Sequence, residues 1–139
     1  METITEINDY FFNLFESLSD SVVRKRNSKH EHLVKRINEI VSREYVNPAL
    51  SIDHIAAKLD ITASYLCRIY KQHTFTTILG RIVAMRMKKA KELLLGTRLT
   101  VAEIAREVGF ANSSYFYKTF KKMNGVTPSD FRGENRREA

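Results

Sequence analysis

The same stretch of sequence occurs twice in this chain. Set 49 residues apart, Ile52, Ile55, Ala56 and Leu59 match Val101, Ile104, Ala105 and Val108. With one residue more in the second copy, Ser64, Tyr65, Leu66, Arg68, Tyr70 and Lys71 match Ser114, Tyr115, Phe116, Lys118, Phe120 and Lys121. Apolar positions in each run step by three and four, which aligns side chains on one face of an α-helix. Each copy therefore reads as a short helix, a tight turn and a second helix. The alanine at the same place in both (Ala56, Ala105) lets the paired helices approach closely, as a helix-turn-helix requires.

Local signals give the boundaries. Ser51, Thr62 and Asn112 stand where a side-chain oxygen can accept from the first turn of a following helix, and Thr100 with Glu103 has the spacing of a capping box. Thr127-Pro128 can open one more short helix, because proline suits the first helical position. The first helix-turn-helix is expected at about 51–73, a connecting helix at 76–95 and the second helix-turn-helix at about 100–124. Before them, Leu33, Ile37, Ile40 and Val41 make an amphipathic helix that should stop ahead of Pro48. With Gly 5, Pro 2 and no sustained alternation, the expected class is all-α: two helix-turn-helix subdomains joined by a long helix and preceded by an N-terminal amphipathic helix.

In the second helix of each copy, Leu66, Ile69 and Tyr70, or Phe116, Thr119 and Phe120, fall on the inward face. Ser64, Cys67, Arg68 and Lys71, or Ser113, Ser114, Tyr117, Lys118 and Lys121, are left outward. Hydroxyls and basic groups in matching outward places suit base edges and phosphates. Charge points the same way. Residues 1–20 hold Glu2, Glu6, Asp9, Glu16 and Asp20 with no Lys or Arg, so residues 21–139 carry all 23 basic groups of a chain whose formal net charge is +7, and with them its whole basic surplus. Alone, that surplus does not separate DNA from RNA, anionic lipid or an acidic protein. Geometry adds a reason: a helix over 76–95 would span about 30 Å, and helix-turn-helix half-sites are read about 34–36 Å apart.

The segment "IAREVGFANSSYFYKTFKKMNGVTPSDFR" resembles the second motif of the AraC/XylS family of transcriptional regulators, and "RMKKAKELL" is similar to the end of that family's connecting helix. The resemblance covers about residues 32–132. It implies a domain of seven helices that binds specific double-stranded promoter DNA, with RNA polymerase as a further partner. By position, the family's base-reading places fall on Ser64, Cys67 and Arg68 in the first unit and on Ser113, Ser114, Tyr117 and Lys118 in the second. Phosphate contacts are expected from the helix starts at Thr62, Asn112 and Thr127 and from Lys71, Lys88, Lys89, Lys121, Lys122 and Arg132. Two positions depart from the family pattern: Phe75 stands where glycine is usual, and Arg81 where an aromatic is common. Residues 31–133 would form the DNA-binding domain, 1–30 an amphipathic helix with a charged linker, "RKRNSKHEH", and 134–139 a charged tail.

Catalysis finds no constellation. His30 and His32 sit in the expected linker, no cysteine pair accompanies His54 or His73, and a glycine-rich phosphate loop is missing, so neither an enzyme nor a metal or cofactor site is expected. The rival reading is a non-specific architectural or RNA-binding helical protein, which would need exposed aromatics for stacking. A lone Cys67, no leader-like N-terminus and an apolar run, "ILGRIVAM", broken by Arg81 lead us to expect a cytoplasmic protein without a membrane anchor. Residues 4–22 carry Ile4, Ile7, Phe11, Leu14 and Leu18 on one seam. That seam must cover its own domain, a second copy, or an upstream sensor or receiver domain. Pairing predicts a weak homodimer, since so short a coiled coil is marginal. Sedimentation of the full chain should then shift with concentration, and Phe11→Asp with Leu14→Asp should abolish the shift. A chain monomeric at high micromolar concentration would contradict the pairing.

Overall fold

In the computed structural model of the chain, residues 28–138 are described; the stripe over residues 4–22 and its expected pairing lie outside the described residues. Contacts divide the chain into Met1–Arg36 and Ile37–Ala139, and the second unit carries both sequence copies. Among the described residues every regular element is a helix. The first, α1, runs over residues 28–44 and is followed by α2 (Ile52–Leu59), α3 (Ala63–Thr74), α4 (Ile78–Gly96), α5 (Val101–Glu107), α6 (Ser113–Asn124) and α7 (Pro128–Glu138).

Most helix starts are capped as the sequence indicates. Ser51 Oγ accepts from His54 N at 3.1 Å, Thr62 Oγ1 from Tyr65 N at 3.2 Å and Asn112 Oδ1 from Ser114 N at 2.8 Å. Thr100 and Glu103 form the reciprocal capping box, and Thr127 Oγ1 accepts from Asp130 N at 3.0 Å. The connecting helix starts slightly later than expected, because Thr77 Oγ1 accepts from Gly80 N at 2.9 Å and so sets Ile78 as the first helical residue. Two expectations about the ends are corrected. Residues 28–32 of the expected linker belong to α1, and 134–138 of the expected tail belong to α7. Neither stretch shows apolar periodicity; each extends a helix whose adjoining turn carries a half-buried apolar group, Leu33 in α1 and Phe131 in α7, and lengthening a formed helix is easier than starting one.

Two small cores share the long helix. Around the first copy, Ile37, Val41, Leu50, Ile55, Ala56, Leu66, Ile69, Tyr70, Ile78 and Ile82 are buried, with α2 packed on α3 and α3 on α4. Around the second, Met87, Ala90 and Leu94 of α4 meet Ile104, Ala105, Val108, Phe110, Phe116 and Phe120, with Phe131 of α7 against them. The ring of Phe120 lies 5.6 Å from that of Phe131 and 5.9 Å from that of Phe116. Tyr70, at the equivalent place in the first copy, instead donates its hydroxyl to Asn38 Oδ1 at 2.7 Å. Glu44, at the end of α1, meets Lys58 Nζ at 2.8 Å and His54 Nε2 at 3.2 Å, and these two partners hold its carboxyl below the usual carboxylate range.

The two copies end their helices differently. After α3 the chain turns left-handed at Phe75 (φ 61°), and after α6 at Gly125 (φ 78°). Phe75 thus does the work of the family's usual glycine, at a steric cost of about 1–2 kcal/mol. Gly109, between α5 and α6, has φ 106°, and a Cβ there would lie 2.4 Å from the Tyr45 carbonyl oxygen and 2.8 Å from Arg86 Nε. Main chain fills that space, so no side-chain movement relieves it. Gly109→Ala should lower unfolding stability by at least about 2 kcal/mol, whereas Gly96→Ala, with nothing within 4 Å, should be neutral or stabilising. Urea denaturation of both variants checks this; a Gly109→Ala protein as stable as the parent would contradict the close approach.

Candidate nucleic-acid interface

The second helix of each copy buries one face and offers the other. On α3 the seam residues Leu66, Ile69 and Tyr70 are buried, Ser64 and Arg68 are exposed, and Cys67 is half-buried. On α6 Phe116 and Phe120 are buried and Thr119 is half-buried, leaving Ser113, Ser114, Tyr117 and Lys118 exposed. The expected readers therefore stand together on the accessible face of each second helix.

Open grooves flank α6 on both sides. One, against the first turn of α5, is lined by Val101, Ala102, Ser113, Ser114, Tyr117 and Lys118. The other, against the first half of α4, includes Leu79, Val83, Tyr115, Lys118, Lys122 and Met123. Lys118 lies on the ridge between them. Aromatic residues divide more evenly than their spacing suggests: Tyr115 is 59% and Tyr117 41% exposed, while Phe116 and Phe120 are enclosed. Tyr115 was not legible as a surface residue, because its ring leans on Phe110 (5.7 Å between centroids) at the edge of the core.

The basic groups fall into two sets. Lys71, Lys88, Lys89, Lys121 and Lys122 are exposed, and only Lys89 among them has an ion-pair partner among the described residues, Glu92 at 3.5 Å. Thr62 and Asn112 are exposed at their caps and Thr127 is half-buried. Arg132 is placed differently. Its Nε donates to Leu94 O at 2.9 Å and Nη2 approaches Thr97 O at 3.4 Å, which satisfies carbonyls at the end of α4 and ties α7 to it.

Arg86, the first residue of "RMKKAKELL", makes structural contacts that the sequence reading did not assign. From the middle of α4 its Nε donates to Tyr45 O at 2.7 Å and Nη2 to Asn47 O at 3.0 Å, while the guanidinium lies over the Phe110 ring at 5.5 Å. Burial lowers its pKa, but it stays a cation at any ordinary pH. Its partners lie some forty residues away in sequence, so no local pattern reveals them. Among the described residues no group of His, Cys, Asp and Glu could hold a metal ion, and no helix is long and apolar enough to cross a membrane.

Residues 31–134 match a family model described as a helix-turn-helix domain. The Msm operon regulatory protein of Streptococcus mutans is 36% identical over 121 residues, covering 87% of this chain and 43% of that protein. Among solved structures, the C-terminal domain of AraT, a response regulator from Geobacillus stearothermophilus, superposes with a TM-score of 0.72 at 33% identity, covering 73% of this chain and 84% of that one. The C-terminal domain of a two-component response regulator from Fusobacterium nucleatum does so with a TM-score of 0.68 at 34% identity, covering 69% and 93%. The chain spans between 18% and 54% of the length of the first curated relatives it matches.

Proposed function

We propose that this chain, which belongs to the AraC/XylS family of helix-turn-helix transcriptional regulators, binds specific duplex DNA by laying α3 and α6 into successive major grooves. The family consists of regulators of transcription, not enzymes. One observation carries the reading: two sequence-equivalent helices on one continuous connecting helix each present hydroxyl and basic groups outward. In this reading Ser64, Cys67 and Arg68, with Ser113, Ser114, Tyr117 and Lys118, contact base edges. Thr62, Lys71, Lys88, Lys89, Asn112, Lys121, Lys122 and Thr127 hold phosphates. Arg132 is left out of that set, since its guanidinium is committed to the end of α4. A promoter would bring RNA polymerase alongside and places the chain in the cytoplasm. The acidic, apolar-striped residues 4–22 are unsuited to DNA and are assigned to a second copy or an upstream sensor or receiver domain.

Arginine offers a two-pronged donor that matches guanine O6 and N7. Arg68→Ala should therefore cost about 1–3 kcal/mol on a selected duplex and relax preference at one base pair. Equal weakening on selected and random duplex would remove Arg68 from the readers. Lys121→Ala should instead weaken both duplexes alike and flatten the dependence of log affinity on log salt by about 0.9. An unchanged slope would remove it from the phosphate set.

A further inference from the structure

Arg68 is not loose on the surface of α3. Its guanidinium carbon lies 5.5 Å from the centroid of the Tyr65 ring, three residues earlier on the same helix. Tyr65 is half-buried and Arg68 exposed, so the ring is the anchored partner and the arginine the one being held. No hydrogen bond or ion pair holds Arg68 among the described residues, which leaves this ring as its support.

Stacking and base reading use different parts of a guanidinium. The guanidinium lies over the ring, while all five of its N–H donors lie in the guanidinium plane and point outward from its edge. A base edge can then be met without leaving the stack. Direction matters as well. Helical side chains lean toward the amino end of their helix, so the stack carries Arg68 back over Tyr65 toward Ser64. That is the end of a recognition helix that meets base edges. A long side chain held this way before binding gives up less rotamer freedom when it binds.

We propose that Tyr65 is a positioning residue for DNA recognition, ordering the Arg68 guanidinium so that its edge faces the base it reads. The proposal rests on the assignment of Arg68 as a base reader above. The second copy makes the comparison. Tyr115 and Lys118 occupy the equivalent positions, but the Tyr115 ring leans on Phe110, and lysine has a compact ammonium with no planar face to stack. The first helix-turn-helix thus carries a ring-supported reader at the place where the second carries a lysine.

The test uses the full chain, a duplex selected by that chain from a random library, and random duplex as competitor. Tyr65→Leu should lower the ratio of selected to random affinity about two- to fivefold, the range of an exposed cation–ring contact. It should broaden preference at the same base pair as Arg68→Ala and leave the salt slope unchanged. Tyr65→Phe keeps the ring and should behave as the parent. In an Arg68→Ala background Tyr65→Leu should add nothing. If Tyr65→Leu lowers the melting temperature, Tyr65→Gln, which favours helix but has no ring, replaces it. A Tyr65→Leu ratio equal to the parent's, or a loss of the same size without Arg68, would overturn the positioning role while leaving Arg68 a reader. An Arg68→Ala protein with an undiminished ratio would overturn the base-reading assignment itself.

Discussion

Arg86 joins three segments at one point: the turn that follows α1, the middle of α4 and the turn inside the second helix-turn-helix. Its two donated hydrogen bonds satisfy the carbonyls of Tyr45 and Asn47, and its face covers Phe110. Gly109 sits against the Arg86–Tyr45 bond, where any side chain would collide with main chain. The contact lies where α4 passes from the first core, through Ile82, to the second, through Met87. A charged group in such a place stabilises only if its donors are satisfied, because a partly buried cation without partners is expensive. Here the partners come from one side of the molecule and the ring from the other, so the geometry of each half depends on the other. Two small cores that would be marginal alone are thereby held in one register.

The duplication has been kept where packing requires it and relaxed where it does not. Ala56 and Ala105 are both buried between paired helices. Beyond them the copies diverge. Asp60 takes a left-handed turn at φ 55° that a short polar side chain tolerates, whereas Gly109 at the matching place is held to glycine by its neighbours. Phe75 accepts a left-handed conformation while 85% exposed, so its backbone N–H caps α3 on the Lys71 carbonyl while its ring adds little to the core. Tyr70 finishes its core with a hydrogen bond to Asn38, and Phe120 finishes its own with the ring of Phe131. One architecture thus carries two differently finished helix-turn-helix units.

The features legible in the sequence were those decided within a few residues. Caps at Ser51, Thr62, Thr100, Asn112 and Thr127 are local hydrogen bonds, and the inward faces of α3 and α6 follow from helical spacing. What was not legible depends on distance along the chain. Arg86 reaches a carbonyl 41 residues away and Arg132 one 38 residues away; each looks in sequence like one more basic surface residue. Tyr115 fell between categories because one side of its ring is packed and the other exposed. Residues 28–32 and 134–138 lacked a periodic pattern, and their helical state follows from the helices they extend rather than from a signal of their own.

In the proposed complex, α3 and α6 read DNA as one rigid pair, at a separation set by α4 and the Arg86 contact. The most direct test of that pairing is the affinity of the full chain for a selected duplex in which about 5 base pairs, half a helical turn, are inserted between the two contacted segments. Affinity should fall to that of a duplex carrying one segment alone, because the second helix would then face the wrong side of the duplex. Affinity unchanged by the insertion would show that the two units read independently and would contradict the rigid pair.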